Sequence, residues 1–361
     1  MRWVVRGAFG LAVIGLIALA GLWLFRMQIG GHVYERMAGQ LVGVDQSEDL
    51  DDGLHVYLCG TGSPLPDADR AGPCVGVLAG RMGFVFDTGS GSIRNLARMG
   101  FPVGETEHVY FTHLHSDHID GLGELMLQAW VGGSRSSPVE ISGPVGITPV
   151  VDGFIQAYRT DAGYRIAHHG EDIANPAGFG AAATELDLPP DGSSRVVFDA
   201  VGARVSAFLV DHSPVSPAFG YRVDYAGRSV TISGDTVKSE AVASAAAGTD
   251  LLIHEALNRE MVATLADAAA SNGDASLSKI FRDILDYHAS PVEAAETAQD
   301  AGVRELVFTH MVPPLPNKFL HAPFLEGVDD AFNGRAAIGE DGLMISLPAG
   351  SDRIVRHKLL D

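Results

Sequence analysis

Within six residues, His113-Leu114-His115-Ser116-Asp117-His118, this chain places four side chains whose nitrogen and oxygen atoms bind divalent metals. Burying imidazoles and carboxylates without partners is costly, so a fold that contains this segment has to build a site that satisfies it. In extended backbone alternate side chains face the same way. His113 and His115 can therefore reach one ion, while Asp117 and His118, one step further on, address a second. Two imidazoles leave a tetrahedral ion half coordinated, and distant residues must supply the rest.

The chain has 14 histidines. His32, His55, His108, His321 and His357 lie in polar or linker-like stretches and read as surface or structural residues. Three other positions read differently. His212 follows Leu209-Val210-Asp211, Asp235 follows Val230-Thr231-Ile232-Ser233-Gly234, and His310 follows Leu306-Val307-Phe308-Thr309. Each stands where a buried strand gives way to a loop, the usual place for functional side chains in α/β sheets.

With these residues in view, the chain resembles the metallo-β-lactamase superfamily, and within it the branch of ribonuclease Z and the zinc arylsulfatases. The matching elements are Leu58-Cys59-Gly60-Thr61-Gly62-Ser63-Pro64, Phe86-Asp87-Thr88-Gly89, the six-residue motif, Asp211-His212 with Phe219-Gly220-Tyr221, Ser233-Gly234-Asp235-Thr236 and Thr309-His310. They occur in the family's order, from about Leu54 to about Pro348. The resemblance implies that His113, His115 and His212 hold one metal, that Asp117, His118 and His310 hold another, and that Asp235 bridges them. That allocation is sensible chemistry, because a carboxylate has two oxygens and can bind two cations about 3.5–4 Å apart. Zn2+ is the default ion for such nitrogen and oxygen ligands, with manganese or iron not excluded.

The chemistry implied is metal-assisted hydrolysis. Asp117 would hold and orient the attacking hydroxide as well as bind metal, while the two ions stabilise the charge growing on the attacked group. His288 is the candidate proton donor, because its family counterpart is implicated in protonating the leaving group. The signature Ser290-Pro291-Val292-Glu293, a cap followed by proline and a box-closing glutamate, puts His288 on a loop just before a helix N-terminus. His254-Glu255 and Asp87 are weaker candidates, as groups that orient other side chains.

Gly7 to Phe25 is an uncharged, apolar run of 19 residues, about 28 Å of helix and enough for one bilayer crossing. Arg2 and Arg6 precede it, which keeps the N-terminus in the cytoplasm and sends the rest of the chain across. The rival is a cleavable signal peptide ending at Ala18-Leu19-Ala20. Residues 1–26 thus read as a membrane anchor or signal segment, 27–53 as an acidic linker, and 54–361 as one hydrolase domain working outside the cytoplasm, at the periplasmic face of an inner membrane. That domain is long enough for an α/β four-layer αβ/βα sandwich. Strand-like runs fall at Leu54–Leu58, Val75–Leu78, Phe84–Phe86, Val109–Phe111, Val205–Val210, Val230–Ile232, Leu251–Ile253 and Leu306–Phe308. Cys59 and Cys74 are the only cysteines; they exclude a thiolate metal site and leave open whether they pair or stay as buried thiols.

The expected substrate follows from departures within the branch. The net charge is −20 and no cluster of Lys and Arg stands out, which speaks against a surface built for a polyanion. Members that process tRNA insert a long RNA-gripping arm between the third-histidine motif and the bridging aspartate. Here His212 and Asp235 are 23 positions apart. Those members also tend to carry an aromatic-rich segment ending in Arg-Tyr after the last histidine, where this chain has Met311-Val312-Pro313-Pro314-Leu315-Pro316. Extra length falls instead between His118 and His212, as loops at Ser134–Pro138 and Ala174–Ser194 around a short helix near Thr148–Tyr158. The expectation is therefore a hydrolase of small-molecule sulfate or phosphodiester-type esters, with nucleic acid as an unlikely substrate. Lactone or carboxylic-ester hydrolysis, ribonuclease Z-like 3′-tRNA cleavage, and a binding protein on a degenerate hydrolase fold are the alternatives. Family members are often dimers, which leaves a homodimer open.

Overall fold

A computed structural model of the protein describes residues 14–17 and 19–360. It divides into two units, one ending at Glu48 and one running from Asp49 to Asp361.

The second unit is built on two sheets. The first has eight strands in the spatial order Val355–Lys358, Leu343–Pro348, Gly53–Gly60, Cys74–Ala79, Met82–Phe86, Thr106–Tyr110, Val139–Gly143 and Ala181–Glu185. The second has seven, in the order Arg335–Ile338, Glu305–Val312, Leu251–Leu257, Arg228–Ile232, Val215–Tyr225, Ala203–His212 and Arg195–Ala200. Leu54, Val56, Val77, Phe84 and Phe86 of the first sheet pack against Val205, Tyr221, Val223, Val230 and Ile253 of the second, so alternate side chains of both sheets form one core. Helices cover the outer faces. Ile93, Leu96, Leu122, Leu125 and Val151 pack on the first sheet, and Val242, Ala294, Ala295 and Ala298 on the second. This is the four-layer α/β arrangement expected.

Every strand-like run expected from the sequence lies in a strand, with Val109–Phe111 overshooting by one residue. The predicted cap is present in full. Ser290 accepts from the Glu293 amide, Glu293 reaches back to the Ser290 amide, and Gly302 ends the helix Pro291–Ala301 in a left-handed conformation. Two expectations change. The helix near Thr148–Tyr158 runs from Ile147 to His169, and the stretch taken as a loop contains the edge strand Ala181–Glu185. Cys59 and Cys74 form a disulfide, with their Cα atoms 5.2 Å apart.

In the first unit a helix, Arg26–Leu41, occupies much of the stretch expected as a linker. Residues 7–13 and 18 of the expected span lie outside the described residues. Among the described residues no single helix is long and apolar enough to cross a membrane; Ile14–Leu24 and Arg26–Gln40 qualify together, with a 66° bend between them. The single transmembrane helix expected from the sequence is therefore not seen.

Candidate metal centre

The strand Thr106–Tyr110 ends in the core, and the chain leaves it through Phe111 and Thr112 into the six-residue motif. Asp87, at the end of the neighbouring strand Met82–Phe86, fixes that exit. Its carboxylate accepts from the Thr112 amide and hydroxyl, both at 2.8 Å, and lies 2.8 Å from Nδ1 of His118. Asp87 holds a left-handed backbone with φ 57°, a strained conformation of the kind kept where geometry matters. Next to it, a Cβ on Gly89 would lie 2.4 Å from the Asp117 carbonyl oxygen, so the Asp87-Thr88-Gly89 turn passes directly beneath the motif.

The other ligand candidates come from the second sheet. His212 ends the strand Ala203–His212, and Asp235 stands three residues beyond Arg228–Ile232. Gly234 makes that approach possible: its φ is +62° and a Cβ there would sit 2.4 Å from the Phe219 carbonyl oxygen. His310 lies inside Glu305–Val312 at a break in register. Glu255 pairs with Thr309 and Ala256 with Met311, which leaves His310 as the extra residue of a bulge, with φ 45°. A bulge re-aims a side chain that regular pleating would send to a sheet face.

All seven side chains meet. Ligand atoms of His113, His115, His212 and Asp235 lie within 4.8 Å of one another, and so do those of Asp117, His118 and His310. Asp235 is central, its Oδ2 lying 3.2 Å from His310 Nε2, 3.5 Å from His118 Nε2, 3.8 Å from His113 Nε2 and 3.9 Å from His212 Nε2. Asp117 Oδ2 is 3.3 Å from His310 Nε2 and 3.6 Å from His118 Nε2.

The far nitrogens are already engaged. His118 Nδ1 faces Asp87, His212 Nδ1 donates to the Tyr287 carbonyl at 2.9 Å, and His113 Nδ1 meets the Thr112 hydroxyl at 3.1 Å. That turns Nε2 of these three rings inward, where His113 Nε2 lies 2.9 Å from His115 Nδ1. Nε2 of His118 and of His212 are buried and have no hydrogen-bond partner. Buried lone pairs aimed at a shared point, around two carboxylates, fit a pair of divalent ions.

The electrostatics agree. Burial lowers the proton affinity of His113, His115 and His212, which favours their neutral, ligating form. Burial alone would raise the Asp235 carboxyl, yet His310 and His118 beside it hold it well below the usual range. His118 goes the other way: burial disfavours its proton, but the Asp235 and Asp87 carboxylates outweigh that. The cluster therefore sets ionised carboxylates among imidazoles, three of them favoured in the neutral form that ligates cations.

His288 is buried at the edge of the cluster, with a ring nitrogen in the same close group as Asp235 and His310. Its Nδ1 lies 3.2 Å from Glu255 Oε2. Burial opposes its proton, but the Glu255 carboxylate overrides this and pushes His288 up to about 9. Glu255 matters more than the sequence suggested. Its Oε1 also accepts from the Ala289 amide at 2.8 Å, so it fixes both ring and backbone of the His288 segment. The signal was present, since Glu255 stands near a strand end like the ligands. His254, its neighbour, instead turns Nδ1 onto the Glu255 carbonyl at 2.7 Å.

Residues 83–311 match the family model described as beta-lactamase superfamily domain. The chain is 36% identical over 295 residues to a ribonuclease Z of Mycobacterium bovis, a match covering 80% of this chain and 96% of that protein. It is 40% identical over 266 residues to a ribonuclease Z of Mycolicibacterium gilvum, covering 73% of this chain and 85% of that protein. The crystal structure of human tRNase Z, short form, superposes with a TM-score of 0.57 at 24% identity, covering 81% of this chain and 99% of that one; this likeness concerns the fold.

These relatives overturn the expected small-molecule sulfate or phosphodiester-type ester hydrolase, and with it the reading of nucleic acid as an unlikely substrate; they favour the ribonuclease Z-like alternative. The departures that suggested it do not discriminate. The 295 aligned positions take in 80% of this chain's 361 residues, about 289, so the match leaves no room for a long arm in the Mycobacterium bovis protein that this chain lacks. A net charge of −20 is likewise a sum over the whole chain and does not describe the face that meets substrate.

Proposed function

The chain belongs to the metallo-β-lactamase superfamily, within its ribonuclease Z branch, and on that basis we propose that it is a dinuclear metal-dependent endonuclease cleaving RNA phosphodiesters at tRNA 3′ ends. The observation that carries this proposal is the 36% identity maintained across 96% of a ribonuclease Z. The convergence of the seven side chains supports it.

In this proposal His113, His115 and His212 hold one ion, Asp117, His118 and His310 hold the other, and Asp235 joins them. Zinc is the ion proposed, on the imidazole-rich donor set. Two such ions supply a water-derived nucleophile near neutral pH and neutralise charge on the attacked phosphate. Asp117, whose Oδ2 lies 3.3 Å from His310 Nε2, would orient the attacking water. Asp87 and the Tyr287 carbonyl, by engaging the outer nitrogens of His118 and His212, fix the ring orientations that turn the inward nitrogens to the ions. His288, held by Glu255, gives its proton to the ribose oxygen as the bond from phosphorus to that oxygen breaks.

The test is the full chain, loaded with zinc, on a precursor tRNA carrying a 3′ trailer. Endonucleolytic release of the trailer, lost on Asp117→Asn, is expected. An intact precursor under conditions where the protein cleaves other esters would contradict the proposal.

We also propose that the N-terminal segment tethers the enzyme to a membrane. The support is the apolar run from Gly7 to Phe25, the exposure of Leu16, Leu22, Trp23 and Phe25, and the Arg26 guanidinium 4.3 Å over the Trp23 ring at the end of the run. Salt-resistant sedimentation of the full chain with membranes is expected; a chain found entirely in the supernatant would contradict it.

A further inference from the structure

We infer that Arg259 is a positioning residue for the reaction, holding the Leu285–Ser290 segment so that the His288 ring keeps its geometry. This rests on the function proposed above. Arg259 opens the helix Arg259–Ser271, directly after the strand Leu251–Leu257 and the capping residue Asn258. Its guanidinium reaches three ways. Nε donates to the Leu285 carbonyl at 3.0 Å, Nη2 donates to the His288 carbonyl at 3.1 Å, and Nη1 pairs with Glu293 Oε2 at 2.8 Å.

Those contacts bracket the two functional groups of the segment. Between Leu285 and His288 stands the Tyr287 carbonyl that fixes the outer nitrogen of His212, and the Tyr287 ring stacks on His212 with centroids 4.6 Å apart. The segment starts within the helical turn Ile284–Asp286, ends at the cap of the helix Pro291–Ala301 and belongs to no sheet. Its path is set by side chains and one strand end: Glu255 on the Ala289 amide, the Leu257 amide on the Ala289 carbonyl, Glu293 on the Ser290 amide, and Arg259 on two carbonyls. Glu255 touches the His288 ring itself. Arg259 touches neither a ligand candidate nor the His288 ring, and it acts through the Leu285 and His288 carbonyls and through Glu293.

A rigid planar fork can serve two carbonyls and a carboxylate at once, which a lysine ammonium on a flexible stem cannot do. Without it the His288 carbonyl loses its clamp and the ring drifts. A displacement near 1 Å at such a group costs roughly 100-fold in rate. The loss is selective by chemistry. In RNA cleavage the new bond from water oxygen to phosphorus forms, the bond to the ribose oxygen breaks, and that strongly basic oxygen must take up a proton. A p-nitrophenolate leaves without one. Displacing the donor should therefore damage RNA cleavage and spare an aryl phosphodiester.

The experiment compares kcat and KM of the zinc-loaded full chain on precursor tRNA and on bis(p-nitrophenyl) phosphate, for wild type, R259M and R259K, with zinc content measured for each. Expected is a fall of about 100-fold in kcat on RNA for R259M, a change under about threefold on the aryl ester, unchanged KM, and unchanged zinc. R259K, which keeps the charge and loses the fork, should track R259M. Equal losses on both substrates, loss of zinc, or full activity of R259K would overturn the inference. Failure of the wild type to cleave RNA would sink the proposed function, and this inference with it, before any variant is made.

Discussion

Two buried charge clusters occupy opposite ends of the strand Arg228–Ile232. At its start, Arg228 grips Asp250 with two bonds of 3.0 Å, Arg304 and the Ser229 amide add two more of 3.0 Å, and the remaining Arg228 nitrogen serves the carbonyls of Pro348, Ser351 and Arg353. That cluster answers its own charges and ties the second sheet to the chain following Leu343–Pro348 of the first. Beyond the other end, Asp235 sits among imidazoles, and Nε2 of His118 and of His212 have no partner. Each cluster joins the two sheets, but only the first is complete in itself. A satisfied buried network stabilises a fold, whereas one left open marks where something from outside must bind.

The comparison breaks first at Asp235. Asp235→Asn should lower RNA cleavage by about 1000-fold and reduce bound metal below two ions per chain in elemental analysis. Full activity with two ions would refute the open-cluster account. Asp250→Asn should do the opposite. Stranding the buried Arg228 costs about 3 kcal/mol in a denaturant titration, while metal content and kcat stay as they were. A change in metal content there would mean the two ends are not separable.

Asp87→Asn sharpens the contrast, since Asp87 is no ligand candidate but faces His118 from behind and orients it. Metal affinity should weaken about 10- to 100-fold by competition with a chelator, with stability of the loaded protein little changed at saturating metal. The smallest effect is a pH dependence. Burial alone would raise the Asp250 carboxyl, but Arg228, the Ser229 amide and Arg304 hold it below the ordinary aspartate value of 3.8. A lowered carboxyl contributes stability that is present above the ordinary value and lost as pH falls through the lowered one. The stability gap between wild type and Asp250→Asn should therefore narrow in acid. A gap that is constant with pH would contradict the pairing.

How much of this was legible in the sequence depended on range. The motif from His113 to His118 is local, so spacing alone revealed it. His212, Asp235 and His310 follow apolar runs, and the strand-end rule placed them, but only family resemblance joined them into one site. The bulge that aims His310 was not legible, because a one-residue slip between neighbouring strands has no composition of its own. Glu255 was underrated and Arg259 not singled out for a similar reason: both act on a segment about 30 positions away. The edge strands Ala181–Glu185, Arg195–Ala200 and Arg335–Ile338 are partly exposed and lack the continuous apolar run that marks central strands. The substrate was misjudged by weighing whole-chain charge and a missing arm over the likeness of the domain itself.

The most direct test is anomalous diffraction from crystals of the zinc-loaded protein, recorded on both sides of the zinc absorption edge. Two peaks about 3.5–4 Å apart, one on each side of the Asp235 carboxylate, are the predicted result. A single peak, or peaks away from Asp235 in a protein that still cleaves RNA, would contradict a two-ion site shared through that residue.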